Sequence, residues 1–145
     1  MIFDIGANIG NYAQAHLDNT DRIICVEANP YLCSHLRYRF LGNEKVIIVN
    51  AAVTSVDNQE VEFFISNADT ISTMEKSWIT DSRFAGKYTW SPIKVMSTTL
   101  DTLIKKYGVP DLLKLDVEGH EWAAIQGLSQ KVPELCQEWA EESKD

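Results

Sequence analysis

The stretch that decides the fold is "FDIGANIGNY", residues 3–12. An apolar run ends in an acid, Asp4, and breaks into a turn bracketed by Gly6 and Gly10. In an open α/β sheet the ligand sits beyond the C-terminal ends of the strands, so the first strand-to-helix turn is where a site is expected. A dinucleotide loop of the form Gly-x-Gly-x-x-Gly brings backbone N–H groups against a pyrophosphate. Counted from Gly6, this chain has Asn8 and Asn11 where the second and third glycines would stand. Asp4 also places a carboxylate where an anionic phosphate would be repelled.

Working outward, short apolar runs alternate with helical periodicity. Residues 1–5 read as a strand and Ala13 to Leu17 as the body of a short helix. "RIICVE" (22–27) is a second β-branched strand. In "ANPYLCSHLRYRFLG", Asn29 is the expected N-cap, Pro30 the first helical residue and Gly42 the terminator, with Leu32, Leu36 and Phe40 as one buried stripe. "KVIIVNAAV" (45–53) is a third strand. Strands and helices alternating in this way imply right-handed crossovers and a parallel sheet.

Residues 54–97 break the pattern and are expected to be an irregular insertion with a short strand pair, "VEFFIS" and "KVMSTTL". Loops this long inside a compact domain are commonly functional. Trp78, Phe84, Tyr88 and Trp90 would line an acceptor pocket or form a small satellite core. Regularity resumes with Thr98 and Asp101 as a capping box for "TTLDTLIKKYG", whose Leu100, Leu103, Ile104 and Tyr107 face inward, and Gly108 with Pro110 stops that helix. "LLKLDV" is a fourth strand, "GHEWAAIQGL" a short helix with Trp122 and Ile125 in the core, and "ELCQEWA" a fifth strand.

The composition fits one domain. The chain has 145 residues, 45% of them apolar, and a formal charge of −8. That charge argues against nucleic acid or an anionic membrane surface, because both demand a basic footprint. Cys25, Cys33 and Cys136 form no CxxC pair and no disulfide framework. No apolar run approaches the roughly 20 residues that span a bilayer. A soluble cytoplasmic protein is expected.

The first turn suits S-adenosylmethionine better than a dinucleotide. That molecule has no phosphate and carries a sulfonium and an ammonium, so a carboxylate such as Asp4 is welcome and Asn8 is tolerable. Gly6 and Gly10 would let the backbone pass close to its methionine portion. Glu27, at the end of the second strand, is placed to accept hydrogen bonds from two ribose hydroxyls, a feature that would serve NAD equally well. A second constellation lies in "KLDVEGHE": Lys114, Asp116, Glu118, His120 and Glu121. Methyl transfer to a hydroxyl requires alignment and removal of one proton, for which Asp116, Glu118 or His120 would serve. Glu118 and Glu121 would serve equally as caps of the following helix, and Lys114 as the partner of a neighbouring acid. The spacing of Asp116, Glu118 and His120 matches no strong metal template, so no metal is expected. His16 and His35 lie on helices and read as surface or core-edge groups.

Taken with "VEANP", "VNAAV", "ISTM", "TTLDTLI", "DLLKLDVEGHEWAAIQGL" and "CQEWA", the opening motif resembles the FkbM family of S-adenosylmethionine-dependent methyltransferases, through nearly the whole chain. The resemblance implies an α/β, Rossmann-like class I methyltransferase fold, with a mostly parallel sheet in the order 3-2-1-4-5 and helices on both faces. It implies O-methylation of a sugar, glycan or natural-product hydroxyl. Asp4, Gly6, Ala7, Asn8, Gly10, Asn11 and Tyr12 would surround the methionine portion of the cofactor, Glu27 and Ala28 the ribose, and Asn50 and Ala51 the adenine. Asp116 would stand nearest the methyl group, with Glu118 and His120 beside the acceptor. Such a sheet has seven strands, so a chain with five is expected to be a domain truncated at both ends, with an open edge prone to self-association. The alternative is a truncated, non-catalytic S-adenosylmethionine-binding module acting through a partner.

Overall fold

The computed structural model describes residues 1–66 and 89–137. Its elements are β1 (Ile2–Ile5), α1 (Asn11–His16), β2 (Ile23–Glu27), α2 (Pro30–Arg39), β3 (Val46–Asn50), β4 (Ala52–Val53), β5 (Glu60–Ser66), β6 (Trp90–Thr98), α3 (Leu100–Tyr107), β7 (Leu112–Leu115), α4 (Glu121–Gln126) and β8 (Glu134–Gln137). Five strands form one parallel sheet in the order β3-β2-β1-β7-β8. β1 and β2 are buried along their whole length, as expected of strands covered on both faces.

Alternation along these strands supplies two cores. Phe3, Ile5, Ile24, Val26, Leu113 and Leu115 face Leu100, Leu103 and Ile104 of α3 and Ala124 of α4. Ile2, Ile23 and Cys25 face Ala13 of α1 and Leu36 and Phe40 at α2. Each large side chain buried in this way stabilises the fold by roughly 1.5–3 kcal/mol. The Asn29 side chain accepts from the Tyr31 N–H at 2.9 Å, and Pro30 opens the helix behind it. Because the register pairs Asp4 with both Cys25 and Lys114, these three side chains share one row on the α1 face of the sheet.

A second sheet, ordered β4-β6-β5, stands beside the first. β5 and β6 pair antiparallel from Glu60↔Met96 to Ser66↔Trp90. Strand alternation turns Val61, Phe63 and Ile65 to one side, where they pack with Ala28, Ala52, Ile93 and Val95.

Four local expectations are corrected. The third apolar run is two strands, because the Ala51 N–H turns to donate to the Glu27 carbonyl at 3.2 Å and sends Ala52 and Val53 into the second sheet. The N-cap of α3 is Thr99, whose hydroxyl accepts from the Thr102 N–H at 3.1 Å, while Thr98 ends β6. Asp101 instead accepts from the Ser129 N–H at 2.8 Å. Trp122 is 54% exposed rather than core, since α4 turns its neighbours Glu121 and Ala124 inward. Trp78, Phe84 and Tyr88 lie outside the described residues.

Candidate active site

The turns that follow β1, β2 and β7 meet over one crevice. It is lined by Gly6 and Asn8 after β1, Glu27 and Ala28 at the end of β2, and Asp116, Val117 and Glu118 after β7. Leu32, Ala51, Ala52, Val53 and Phe63 close the far side with apolar surface. About 530 Å³ of unfilled space lies between these groups, part of it open to solvent. An apolar wall with a few polar groups is the make-up of a small-molecule site.

Close approach of backbones shapes the first turn. Gly6, at φ +79°, has no room for a side chain: a Cβ there would sit 1.7 Å from the Asp116 carbonyl oxygen. The Gly6 and Ala7 N–H groups donate to the Val26 carbonyl at 2.8 and 3.1 Å, hanging the turn on the end of β2. Gly10 is also required by packing: a Cβ there would meet Phe40 at 2.7 Å and Leu36 at 2.8 Å.

Glu27 ties the first two turns together. It is 7% exposed, and its Oε2 accepts from the Asn8 N–H and its Oε1 from the Asn29 N–H, both at 2.9 Å. Burial raises its pKa, and these two N–H donors oppose the rise. Asn50 braces the same corner by donating to the Glu27 and Ala28 carbonyls at 2.9 and 3.0 Å.

Asp4 does not face the crevice. It is fully buried beneath the turn, with Oδ1 3.0 Å from the Lys114 ammonium. Lys114 also donates to the Gly6 carbonyl at 2.8 Å. Burial raises the Asp4 pKa, and the Lys114 charge opposes it. Asp4 is thus not among the residues lining the crevice; it pairs with Lys114, and the acids lining the crevice are Glu27, Asp116 and Glu118.

The model of the "Methyltransferase FkbM domain" matches residues 4–144. The chain belongs to the FkbM methyltransferase family. No curated protein and no solved structure matches it.

In this FkbM methyltransferase the residues expected to surround a cofactor divide into two groups. Gly6, Asn8, Glu27, Ala28, Ala51, Asp116 and Glu118 line the crevice. Ala7, Gly10, Asn11, Tyr12, Asn50 and His120 do not. Ala7 is buried in the α1-side core. The Asn11 side chain accepts from Arg39 at 2.9 Å, and Arg39 also donates to the Ile9 carbonyl at 2.6 Å, so α2 clamps the turn from outside. Tyr12 stacks on His16 with ring centroids 4.1 Å apart and lies over Lys114. His120 is the residue that precedes α4.

Of the apolar wall, the motifs mark Ala51 but not Leu32, Ala52, Val53 or Phe63. For Phe63 the signal is the alternation in "VEFFIS", which turns Val61, Phe63 and Ile65 to one side. Among the described residues no three His, Cys, Asp or Glu side chains converge to hold a metal ion, and no helix is long and apolar enough to cross a membrane.

Proposed function

We propose that this FkbM methyltransferase uses S-adenosylmethionine, in a class I Rossmann-like arrangement, to methylate a hydroxyl oxygen on a sugar, glycan or natural-product acceptor. The observation that carries the reading is the crevice at the ends of β1, β2 and β7 with Glu27 in its wall. Each Glu27 oxygen holds one backbone N–H and retains acceptor capacity for a ribose hydroxyl. Among the described residues the lining holds three acids and no Lys or Arg, with the Lys114 ammonium 3.9 Å from Asp116 Oδ2 behind it, a balance that suits a cationic cofactor better than a pyrophosphate.

When bound, S-adenosylmethionine supplies a methyl group on a positively charged sulfur. Glu27 fixes the ribose, and Ala51, Val53 and Phe63 offer the adenine a dry apolar wall. Asp116 and Glu118 stand on the third turn of the crevice, where a carboxylate can orient the acceptor hydroxyl and receive its proton. His120 follows them in the chain and is not among the residues lining the crevice.

The test is transfer of a labelled methyl group from S-adenosylmethionine to a panel of sugars, glycans and polyketide-type alcohols. Label in an O-methyl product, reduced at least tenfold in Asp116→Asn or Glu118→Gln, supports the reading. Tight binding of S-adenosylhomocysteine without transfer to any acceptor would favour the non-catalytic module instead.

A further inference from the structure

Glu121 is a charged residue that the proposed chemistry does not use, and it is 2% exposed. Its Oε1 accepts from the N–H groups of Val117, at 3.1 Å, and Gly119, at 3.4 Å. Its Oε2 is buried and has no hydrogen-bond partner among the described residues. A buried carboxylate with one oxygen unpartnered costs free energy that an apolar side chain would avoid.

The turn held by Oε1 is the one that carries Asp116, Val117 and Glu118 into the crevice. Its backbone is unusual: Glu118 has φ +50° and Gly119 φ +93°. Left-handed geometry is unfavourable for a glutamate and persists only when its surroundings enforce it. On the other side, the Asp116 carbonyl is pressed against Gly6 with no room for a Cβ. The turn is thus pinned between Gly6 and the Glu121 carboxylate.

We propose that Glu121 is a positioning residue, clamping the turn at residues 116–119 so that Asp116 and Glu118 are held at the crevice. The inference rests on that crevice being the cofactor site. What matters is the reach of Oε1 to two N–H groups rather than the charge.

Two variants separate reach from charge. Glu121→Gln keeps the chain length and a carbonyl acceptor, while Glu121→Asp keeps the charge and falls one methylene short. Amide hydrogen exchange is read on the protein alone, and S-adenosylhomocysteine affinity by calorimetry. Glu121→Gln is expected to stay within about threefold of wild type in both measurements. In Glu121→Asp the Val117 and Gly119 amides should exchange about tenfold faster, and the affinity should fall about tenfold.

A merely structural role would lower the melting temperature without these local changes, and that result overturns the proposal. The reverse ordering of the two variants overturns it as well. If Glu121→Asp does not fold, the same exchange comparison is made in a Glu118→Gly background, where glycine accepts the left-handed geometry without strain. A wild-type chain that binds no S-adenosylhomocysteine would contradict the functional reading, and the exchange result would still decide the clamp.

Discussion

Gly6 and Asp116 touch through their backbones: a Cβ on Gly6 would lie 1.7 Å from the Asp116 carbonyl oxygen. This contact joins the turn after β1 to the turn after β7, and so joins the two halves of the crevice. Gly6→Ala must push the turns apart as well as strain a residue at φ +79°. Gly42 provides the control, since it has φ +78° with nothing within 4 Å of an added Cβ. Gly42→Ala should cost only the backbone strain, about 1–2 kcal/mol, and Gly6→Ala distinctly more. Thermal or denaturant unfolding of the two variants measures the difference.

Among the described residues Lys114 is the one cation within ion-pair distance of the fully buried Asp4. Lys114→Met should therefore destabilise by about 3–5 kcal/mol, because it leaves a buried carboxylate unpaired. Asp4→Leu combined with Lys114→Met should recover most of that loss. The deficit of the single variant should shrink as pH falls, since a protonated Asp4 carries no unpaired charge. Urea denaturation at two pH values checks both statements.

The parallel sheet was legible in the sequence because β1, β2, β3 and β7 are short, mainly apolar runs, interrupted in β1 by Asp4 and in β7 by Lys114, and punctuated by Gly6, Asn29 and Gly108. The positions of Glu27 and Asp116 at strand ends followed from the same pattern. Which way the Asp4 side chain points did not, since it depends on pairing with Lys114, more than a hundred residues along the chain. A motif records adjacency along the chain, so it does not show what packs against Gly10 and Asn11. Their partners, Phe40 and Arg39, arrive from α2. Trp122 was misplaced because hydrophobicity alone does not reveal that a six-residue helix turns a glutamate inward.

Glu27 carries two opposite pH dependences. Its pKa in the folded chain is raised above 4.5. The folded state thus holds the proton more tightly than the unfolded one, and the Glu27 contribution to stability falls as pH rises from about that ordinary value through the raised one. Glu27→Gln removes this slope from the melting curve. Cofactor affinity runs the other way if ribose hydroxyls donate to the ionised carboxylate: it is lost as pH drops through the raised pKa, and Glu27→Gln flattens that profile too. Calorimetric titration between pH 5 and 8 reads the second dependence.

Asp57 organises the start of α3. Its carboxylate accepts from the Thr99 N–H at 2.8 Å, from the Thr102 hydroxyl at 2.8 Å and from the Thr99 hydroxyl at 3.2 Å. Burial acts to raise its pKa, but these hydrogen bonds prevail and lower it below 3.8. The stability it contributes is present above that value and lost as pH falls through the lower one. Asp57→Ala should destabilise by about 1 kcal/mol at neutral pH, with a smaller difference in acid. Melting temperatures of both proteins at pH 7 and pH 3 give the comparison.

The most direct test of the central claim is calorimetry with S-adenosylhomocysteine on the wild-type chain and on Glu27→Gln, with NAD as the competing ligand. Saturable binding of S-adenosylhomocysteine, weakened about tenfold in Glu27→Gln and unaffected by NAD, is the expected result. A folded wild-type chain that binds NAD in its place, or that binds S-adenosylhomocysteine equally well without Glu27, would contradict it.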